Sequence, residues 1–348
     1  MTSFDPRHFP LDRPGKLIAA LPAVLGFVPE KSLVLVTLEG GELGCVMRAD
    51  LSDDACDVVV HMAAVAAASC PDGAIVVIVD EDGASCRMCN DDYRELTRVA
   101  TYALEEHGIE LRDAHVVDRV AAGGRWHRAD GPGGGVVEDP SSSPLAVAAV
   151  LDGRRLCASR DELLDVITAT DLERAAGLSE LIERAEHDGG SRPDAAARRD
   201  VELAMSAAAD VAEGRVVTDD DVARLAWALT DPRVRDTLYA LAVGRTGDQV
   251  EALWALLSRV LPDPWRVEAL VLFAFSAYVR GDGPLAGVSL EAALRSDASH
   301  KMARMLDQAL QSGMRPEQIR ELARTGYRLA KRIGVALPPR RNFRRRAG

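Results

Sequence analysis

The first candidate for chemistry in the sequence is a short acidic string, Asp80-Glu81-Asp82-Gly83, which directly follows the apolar run at 73–79. Two carboxylates at the end of a buried strand can bind Mg²⁺. A solvated acidic turn has the same composition and performs no reaction. We favour the turn, and we keep Asp80 and Asp82 as candidate ligand-binding residues.

The same string is similar to the first motif of the haloacid-dehalogenase-like phosphatases. That resemblance implies a nucleophilic Asp80 and an acid/base Asp82. Two departures weaken it: Ala84 stands where that family has Thr, and no lysine lies between Lys31 and Lys301 to neutralise a phosphate. We therefore expect neither a bound metal nor a cofactor here.

A second set of polar residues could form a pocket. Arg48 and Asp50 alternate with apolar neighbours in a strand, so both side chains lie on one face of it. If that face meets Trp126 and His127, the four residues form a polar cleft rimmed by an aromatic ring. His127 would then serve as an acid or base near neutral pH. The simpler alternative, which we favour for Arg48 and Asp50, is two solvent-facing charges.

Cys86-Arg87-Met88-Cys89 has the C-x-x-C spacing of a zinc half-site or a redox dithiol. A structural zinc site needs a second pair, and the other four cysteines are not paired in spacing. A redox dithiol opens a helix after a strand. This motif follows a strand and a turn, so redox use remains open as the minor alternative.

The glycine-rich loop at 131–135 could bring backbone N–H groups to a phosphate. It lacks the Gly-Lys-Ser/Thr ending of a phosphate-binding loop and does not run from a strand directly into a helix. We therefore interpret 131–144, which is rich in Gly, Pro and Ser, as a flexible loop.

The overall charge argues against a general nucleic-acid-binding protein. The 348 residues carry a formal net charge of −12, whereas phosphate binding needs a concentrated positive surface. The exception is the segment 331–348, which has seven basic residues and no acidic one. This tail could contact nucleic acid, anionic lipid or an acidic protein, although a solvated terminus is the favoured interpretation.

The apolar stretch at 16–41 could be an export signal, a membrane anchor or part of a core. Its flank contains acidic residues and prolines, no cleavage site follows it, and Pro22 and Pro29-Glu30-Lys31 interrupt it. We expect a core segment in a cytoplasmic protein with no membrane contact.

The elements that would position these residues can be read from periodicity and turn residues. The first half predicts the order β-β-α-β-α-β-β, typical of a mixed sheet with helices packed on it. The predicted elements are strands at 32–39, 43–51 and 73–80, helices at 52–69 and 91–107, and a hairpin at 111–130 turning at Gly123-Gly124.

The second half predicts helices separated by Pro and Gly breakers. The pair at 266–297 shows a trace of the tetratricopeptide pattern, so we expect repeat-like helix pairs. Aromatic residues on facing helices usually form a core, but a cluster of them is also a candidate partner surface. The candidate residues for that surface are Trp254, Trp265, Tyr278 and Arg280.

Several segments together resemble one family, the actinobacterial domain-of-unknown-function family 4192. They are LIAALPAVLGFVPEKSLVLVTL, CVMRADL, GRWHR, RVRDTLYALA, LWALLSRVLPDPWRVEALVLFAFSAYVRGDGPLAGVSLEAAL and MARMLDQALQSGMRPEQI. The resemblance spans roughly residues 15–325 and implies a soluble bacterial protein without an assigned reaction. Cys86 and Cys89 are not part of the pattern that carries it.

These observations predict an α/β or α+β unit with a mixed sheet, followed by an all-α unit. The expected divisions are an N-terminal extension (1–15), the sheet domain (16–185), the helical domain (195–333) and a basic tail (334–348). We expect a non-enzymatic interaction or regulatory protein with a protein partner. The alternative is a protein or Mg-dependent enzyme that binds a small phosphorylated metabolite or nucleotide at the sheet edge.

Overall fold

The computed structural model of the chain describes residues 13–151, 156–169, 171–186 and 192–341. Most of the expected N-terminal extension and the last seven residues of the basic tail lie outside these ranges. The chain divides into two compact units, Met1–Leu163 and Leu164–Gly348. The division comes earlier than expected because the helix at Leu172–Glu186 packs against the helix at Asp219–Leu229 of the second unit.

The first unit contains the predicted mixed sheet, with six strands in the order β2-β1-β3-β4-β5-β6. Strands β3 and β4 are parallel, and all other neighbours are antiparallel. The strands are β1 (Ser32–Glu39), β2 (Glu42–Asp50), β3 (Gly73–Val79), β4 (Glu110–Val117), β5 (Arg125–Arg128) and β6 (Gly134–Val136).

Strand β6 corrects one expectation. The glycine-rich segment was interpreted as a flexible loop, but its residues 134–136 pair with β5 at the edge of the sheet. Gly15 explains the close fit on this side, because a Cβ there would lie 2.3 Å from the carbonyl oxygen of Val136. In a sequence, a run of glycines favours a loop. Here the absence of side chains lets neighbouring backbones approach each other closely.

Helices cover both faces of the sheet. They are α1 (Pro14–Leu25), α2 (Ala55–Ala66), α3 (Arg87–Glu105) and α4 (Pro144–Leu151), and α5 (Arg160–Asp165) lies at the division between the units. One core forms between the sheet and α2 and α3, where Leu35, Val76 and Val116 are fully buried. Their alternate neighbours in the strands face the other way, as the pleat of a strand requires.

The opening apolar stretch forms helix α1 and strand β1, and both are almost wholly buried. Leu17, Ile18 and Leu21 are among the most deeply buried side chains of the described chain. Within the described ranges, no helix combines the length and the apolar character that crossing a bilayer requires.

The second unit is helical throughout its described part, as predicted. Its helices are α6 (Leu172–Glu186), α7 (Asp194–Ala212), α8 (Asp219–Leu229), α9 (Pro232–Leu238), α10 (Gly247–Val260), α11 (Arg266–Arg280), α12 (Gly283–Ser296), α13 (Lys301–Gln311), α14 (Pro316–Arg320) and α15 (Ala323–Ile333). Helix α11 is buried along nearly its whole length and packs against α10 and α12. Helices α10, α11 and α12 are therefore neighbours in space, which is the pairing that short loops between helices favour, whereas α7 packs against α10 and α15 against α9.

Candidate functional site

The acidic string lies beside a lysine from another strand. Antiparallel pairing sets Ser32 of β1 opposite Val79 of β3, so the residue before β1 meets the residue after β3. The ammonium group of Lys31 lies 2.6 Å from Oδ1 of Asp80 and 3.2 Å from Oδ2 of Asp82. Lys31 holds this position with a left-handed backbone, at φ 42°. Such a backbone costs energy for a residue with a side chain, and the two ion pairs offset part of that cost.

Asp80 is a buried carboxylate with a second strong donor. The hydroxyl of Tyr93 in α3 donates a hydrogen bond of 2.5 Å to its Oδ2. Burial raises the pKa of Asp80, but the hydrogen bonds from Lys31, Tyr93 and the Gly83 N–H outweigh it and leave the pKa below its ordinary value. Burial and the Asp80 charge together raise the pKa of Tyr93. At neutral pH the site therefore contains an ionised Asp80 and a protonated Tyr93.

The segment after Asp80 is exposed but extensively hydrogen-bonded. The Asn90 amide donates to the carbonyl oxygens of Ala84 (3.0 Å) and Cys86 (2.8 Å), and the N–H of Ala84 donates to the carbonyl oxygen of Asp80 (3.0 Å). His127 of β5 places its Nε2 atom 3.1 Å from the Ala84 carbonyl oxygen. We call residues 80–89, which are the turn after β3 together with the first three residues of α3, the braced loop. Its conformation is fixed by side chains from a strand and a helix, so it is preorganised.

The two cysteines of the C-x-x-C motif occupy the last residues of the braced loop. Helix α3 begins at Arg87, four residues before the predicted start, so Cys86 is its N-cap residue and Cys89 lies in its first turn. The Cys86 thiol makes no complete capping hydrogen bond. The nearby N–H of Cys89, with its thiol, nevertheless lowers the pKa of Cys86. The interaction with Cys86 raises the pKa of Cys89.

Arg48 and Asp50 lie on the other face of the sheet, although Arg48 contacts Glu30 and Ser32, the residues on either side of Lys31. Arg48 is paired with Val34 of β1, so its side chain shares the face of the sheet opposite the α2 and α3 core. Its guanidinium lies 2.6 Å from Asp50 and donates a 2.8 Å hydrogen bond to the Ser32 hydroxyl. The two charges therefore satisfy each other. Asp50 is exposed, whereas Arg48 is largely covered and also lies over the ring of Phe27.

The structure separates Trp126 from His127. Trp126 is paired with Val117, and its ring meets the buried ring of His115 edge-on, with 5.1 Å between centroids. His127 is paired with Val116 on the other face, where it reaches the braced loop. Consecutive strand residues point to opposite faces, so a single cleft does not contain both side chains. Of the six candidate residues, the structure brings together Asp80 and Asp82 through Lys31, and His127 contacts the same segment only at the Ala84 carbonyl oxygen.

The candidate partner surface in the helical unit needs correction. Trp254 and Tyr278 are 1% and 3% exposed, so they belong to the core and present no surface. The Tyr278 hydroxyl donates to the Met314 carbonyl oxygen. Arg280 lies 2.7 Å from Glu251 and 3.0 Å from Asp282, and Trp265 is half-buried. Sparse aromatics on facing helices are used to fill the core, because few other large side chains are present.

Two residues of the site were missed from the sequence. Lys31 and Tyr93 contact Asp80 from positions 49 residues before and 13 residues after it. The sequence showed Lys31 next to a strand, but only the strand pairing reveals which residue it meets. Among the described residues, no group of three or more His, Cys, Asp or Glu side chains is arranged to bind a metal ion.

Comparison with known proteins gives a family without an activity. A family model described as "Domain of unknown function (DUF4192)" matches residues 14–317, which confirms the resemblance seen in the sequence. No curated protein and no solved structure matches the chain. Proposals for its function therefore depend on the geometry of its own residues.

Proposed function

The chain belongs to the DUF4192 family, whose description assigns no reaction, and we propose that it is a non-enzymatic regulatory protein of the cytoplasm. In this proposal the braced loop binds a protein partner. The observation that carries the proposal is a surface loop held in one conformation by buried and half-buried side chains while its outer residues remain exposed.

The exposed residues of the braced loop suit a polypeptide partner. Met88 is 74% exposed, and Glu81, Asp82 and Arg87 of the same segment are exposed charges. A methionine adapts its shape to an apolar contact, and exposed charges of both signs give orientation and specificity. Because the loop is already ordered, binding has little conformational entropy to remove.

The ion pairs of Lys31 favour binding of a protein over catalysis at the acidic string. The ammonium group lies between the carboxylates of Asp80 and Asp82, in the position that a divalent cation would occupy. A metal or a phosphorylated ligand would have to displace it and leave the strained backbone of Lys31 without its partners. This supports a structural role for Asp80, with the function on the outer surface.

A photo-crosslinking experiment tests the partner surface. A photoreactive benzoyl-phenylalanine replaces Met88 in one variant and Tyr102 in the control. Tyr102 lies in the same helix and is 64% exposed. We expect one discrete crosslinked protein from position 88, which disappears when unmodified protein competes and when Arg87→Glu is added. Equal crosslinking from both positions, or none from position 88, would overturn the proposal.

The small-ligand alternative rests on a separate observation. The cluster lies outside the carboxyl ends of the parallel strands β3 and β4, a frequent position for ligand sites in sheets with helices on both faces. A thermal-shift panel of nucleotides, sugar phosphates, divalent metals and short DNA tests it. We expect no shift. A shift of several degrees that Asp80→Asn abolishes would replace the partner proposal with a ligand site.

A further inference from the structure

The positions of Cys86 and Cys89 in the fold suit a disulfide. Cys86 is the N-cap residue of α3 and Cys89 is the third residue of that helix. Residues three apart in a helix have Cα atoms roughly 5 Å apart, within the range that a disulfide bridges. Both side chains are partly exposed, so small reagents reach them.

The two thiols have different environments. Cys86 has an extended backbone, with φ −83° and ψ 122°, and it lies at the positive end of the helix dipole. That position favours a thiolate at Cys86. The Cys89 thiol interacts with Cys86, and nearby negative charges, including Asp80, disfavour its ionisation. The Cys86 thiol is thus suited to attack a disulfide. The Cys89 thiol is suited to displace the group that Cys86 then carries.

We infer that Cys86 and Cys89 are a redox-active pair that exchanges with low-molecular-weight disulfides. The Cys86 thiolate attacks one sulfur of such a disulfide, a bond forms to Cys86 Sγ, and the first small thiolate leaves and takes a proton from water. Cys89 then loses its proton to solvent, and its sulfur attacks Cys86 Sγ and releases the second small thiolate. The dithiol loses two electrons, and the small disulfide gains them as two thiols.

The disulfide would enclose two exposed residues at the end of the braced loop. Arg87 and Met88 lie between the two cysteines, so closing the ring changes how both side chains are presented. Regulation of partner binding by oxidation rests on the function proposed above. The thiol chemistry does not depend on that function, because it is measured on the isolated protein. One proposal can therefore be refuted while the other stands.

The remaining cysteines provide internal controls. Cys157 is buried, and burial raises the pKa of Cys45, so neither is suited to attack. Cys70 is exposed and lies at the end of a short helical turn, without the dipole of a long helix behind it. We expect Cys86 to react with alkylating reagents several-fold faster than Cys70 at pH 7, because the N-terminus of a long helix favours the Cys86 thiolate.

The test equilibrates the reduced full-length chain with buffers of reduced and oxidised glutathione, followed by alkylation and trypsin digestion. Trypsin cuts after Arg87, so a Cys86–Cys89 disulfide joins two peptides that otherwise separate. We expect this joined pair to appear as the buffer becomes oxidising, and to form to the same extent in the Cys70→Ser variant. Cys86→Ser should block exchange, and Cys89→Ser should trap a mixed disulfide of Cys86 with glutathione.

The tryptic peptide 49–87 also contains Cys56 and Cys70, so fragmentation of the joined pair identifies which of its cysteines is bonded to Cys89. This measurement on the wild-type protein decides the inference, so a variant that fails to fold does not obscure it. Independent glutathionylation of Cys86 and Cys89, without the joined pair at any ratio, would refute the redox pair. So would equal alkylation rates for Cys86 and Cys70. If the joined pair forms but oxidation leaves crosslinking from position 88 unchanged, the redox pair remains and its regulatory role is rejected.

Discussion

Lys31 and Asp80, 49 residues apart in the chain, form an ion pair of 2.6 Å at one end of the sheet. The pair exists because β1 and β3 run antiparallel with Ser32 opposite Val79. The hydrogen bond to Asp80 is the main cause that raises the pKa of Lys31. Asp80, whose carboxylate most resembled a catalytic group, thus joins the start of strand β1 to the braced loop.

Replacing Asp80 with Asn should destabilise the sheet unit. The variant removes the negative charge that accepts from Lys31 and Tyr93, and hydrogen bonds to charged groups contribute about 2 kcal/mol. Urea unfolding at pH 7 measures the loss. The matched control is Asp82→Asn, whose side chain is 85% exposed and should change stability by less than about 0.5 kcal/mol. Equal effects of the two variants would contradict the structural role of Asp80.

Tyr93→Phe should make the protein more sensitive to acid. The pKa of Asp80 is lowered in the folded state, so its contribution to stability is present above the ordinary value of 3.8 and is lost as the pH falls through the folded pKa. Removing the Tyr93 hydroxyl raises that folded pKa toward the ordinary value, so Asp80 contributes less stability above pH 3.8, and the less stable variant reaches its acid-unfolding midpoint at a higher pH. The variant should also lose about 1 kcal/mol at pH 7. An acid-unfolding midpoint identical to wild type would contradict this account.

Gly83→Ala should lower the free energy of unfolding, whereas Gly177→Ala should raise it. A Cβ on Gly83 would lie 2.0 Å from the Tyr93 hydroxyl and 2.4 Å from Oδ2 of Asp80, so the braced loop must shift, at a cost of about 2 kcal/mol or more. Gly177 lies within α6, and a Cβ there meets no atom of the described part of the chain within 4 Å. Alanine at 177 should stabilise by about 0.5–1 kcal/mol, because it restricts the unfolded chain. Thermal unfolding of both variants checks the signs.

His115 should make stability fall in mild acid. Its ring is buried, and its Nδ1 atom has no hydrogen-bond partner among the described residues. Burial lowers its pKa despite Asp113 at 3.7 Å, and Arg128 also opposes protonation. Its contribution is therefore present above the ordinary pKa of 6.5 and decreases as the pH falls below that value. His115→Phe, which keeps an aromatic ring against Trp126, should remove this slope. If stability still falls between pH 7 and pH 5 in the variant, a group other than His115 causes that fall.

Arg280→Met should destabilise the helical unit by about 3 kcal/mol. Burial raises the pKa of Glu251, and the Arg280 guanidinium at 2.7 Å is the charge that opposes this effect. Without it, a largely covered carboxylate loses its counter-charge. Adding Glu251→Gln should recover part of the loss, and a double-mutant cycle in urea measures the coupling. Full additivity of the two changes would show that the pair is not coupled.

The predicted elements were close to the observed ones wherever a period or a breaker marked them. Strand β3 is a continuous apolar run, and the helices of the second unit begin and end at prolines, glycines and capping residues such as Thr218. The start of α3 was missed, because Cys86 is a weak capping residue and no Ser, Thr, Asp or Asn marks that position. That difference of four residues decides whether the C-x-x-C motif lies in a loop or at a helix start.

The sequence by itself determined the mixed sheet, the helical second unit and the family, because periodicity, breakers and motifs are local properties of the chain. Only the tertiary structure decided which polar residues meet. Strand register brought Lys31 to Asp80 and sent Trp126 and His127 to opposite faces, and helix packing buried Trp254 and Tyr278. Contacts between distant residues depend on strand register and packing, and local patterns in a single sequence do not reveal these.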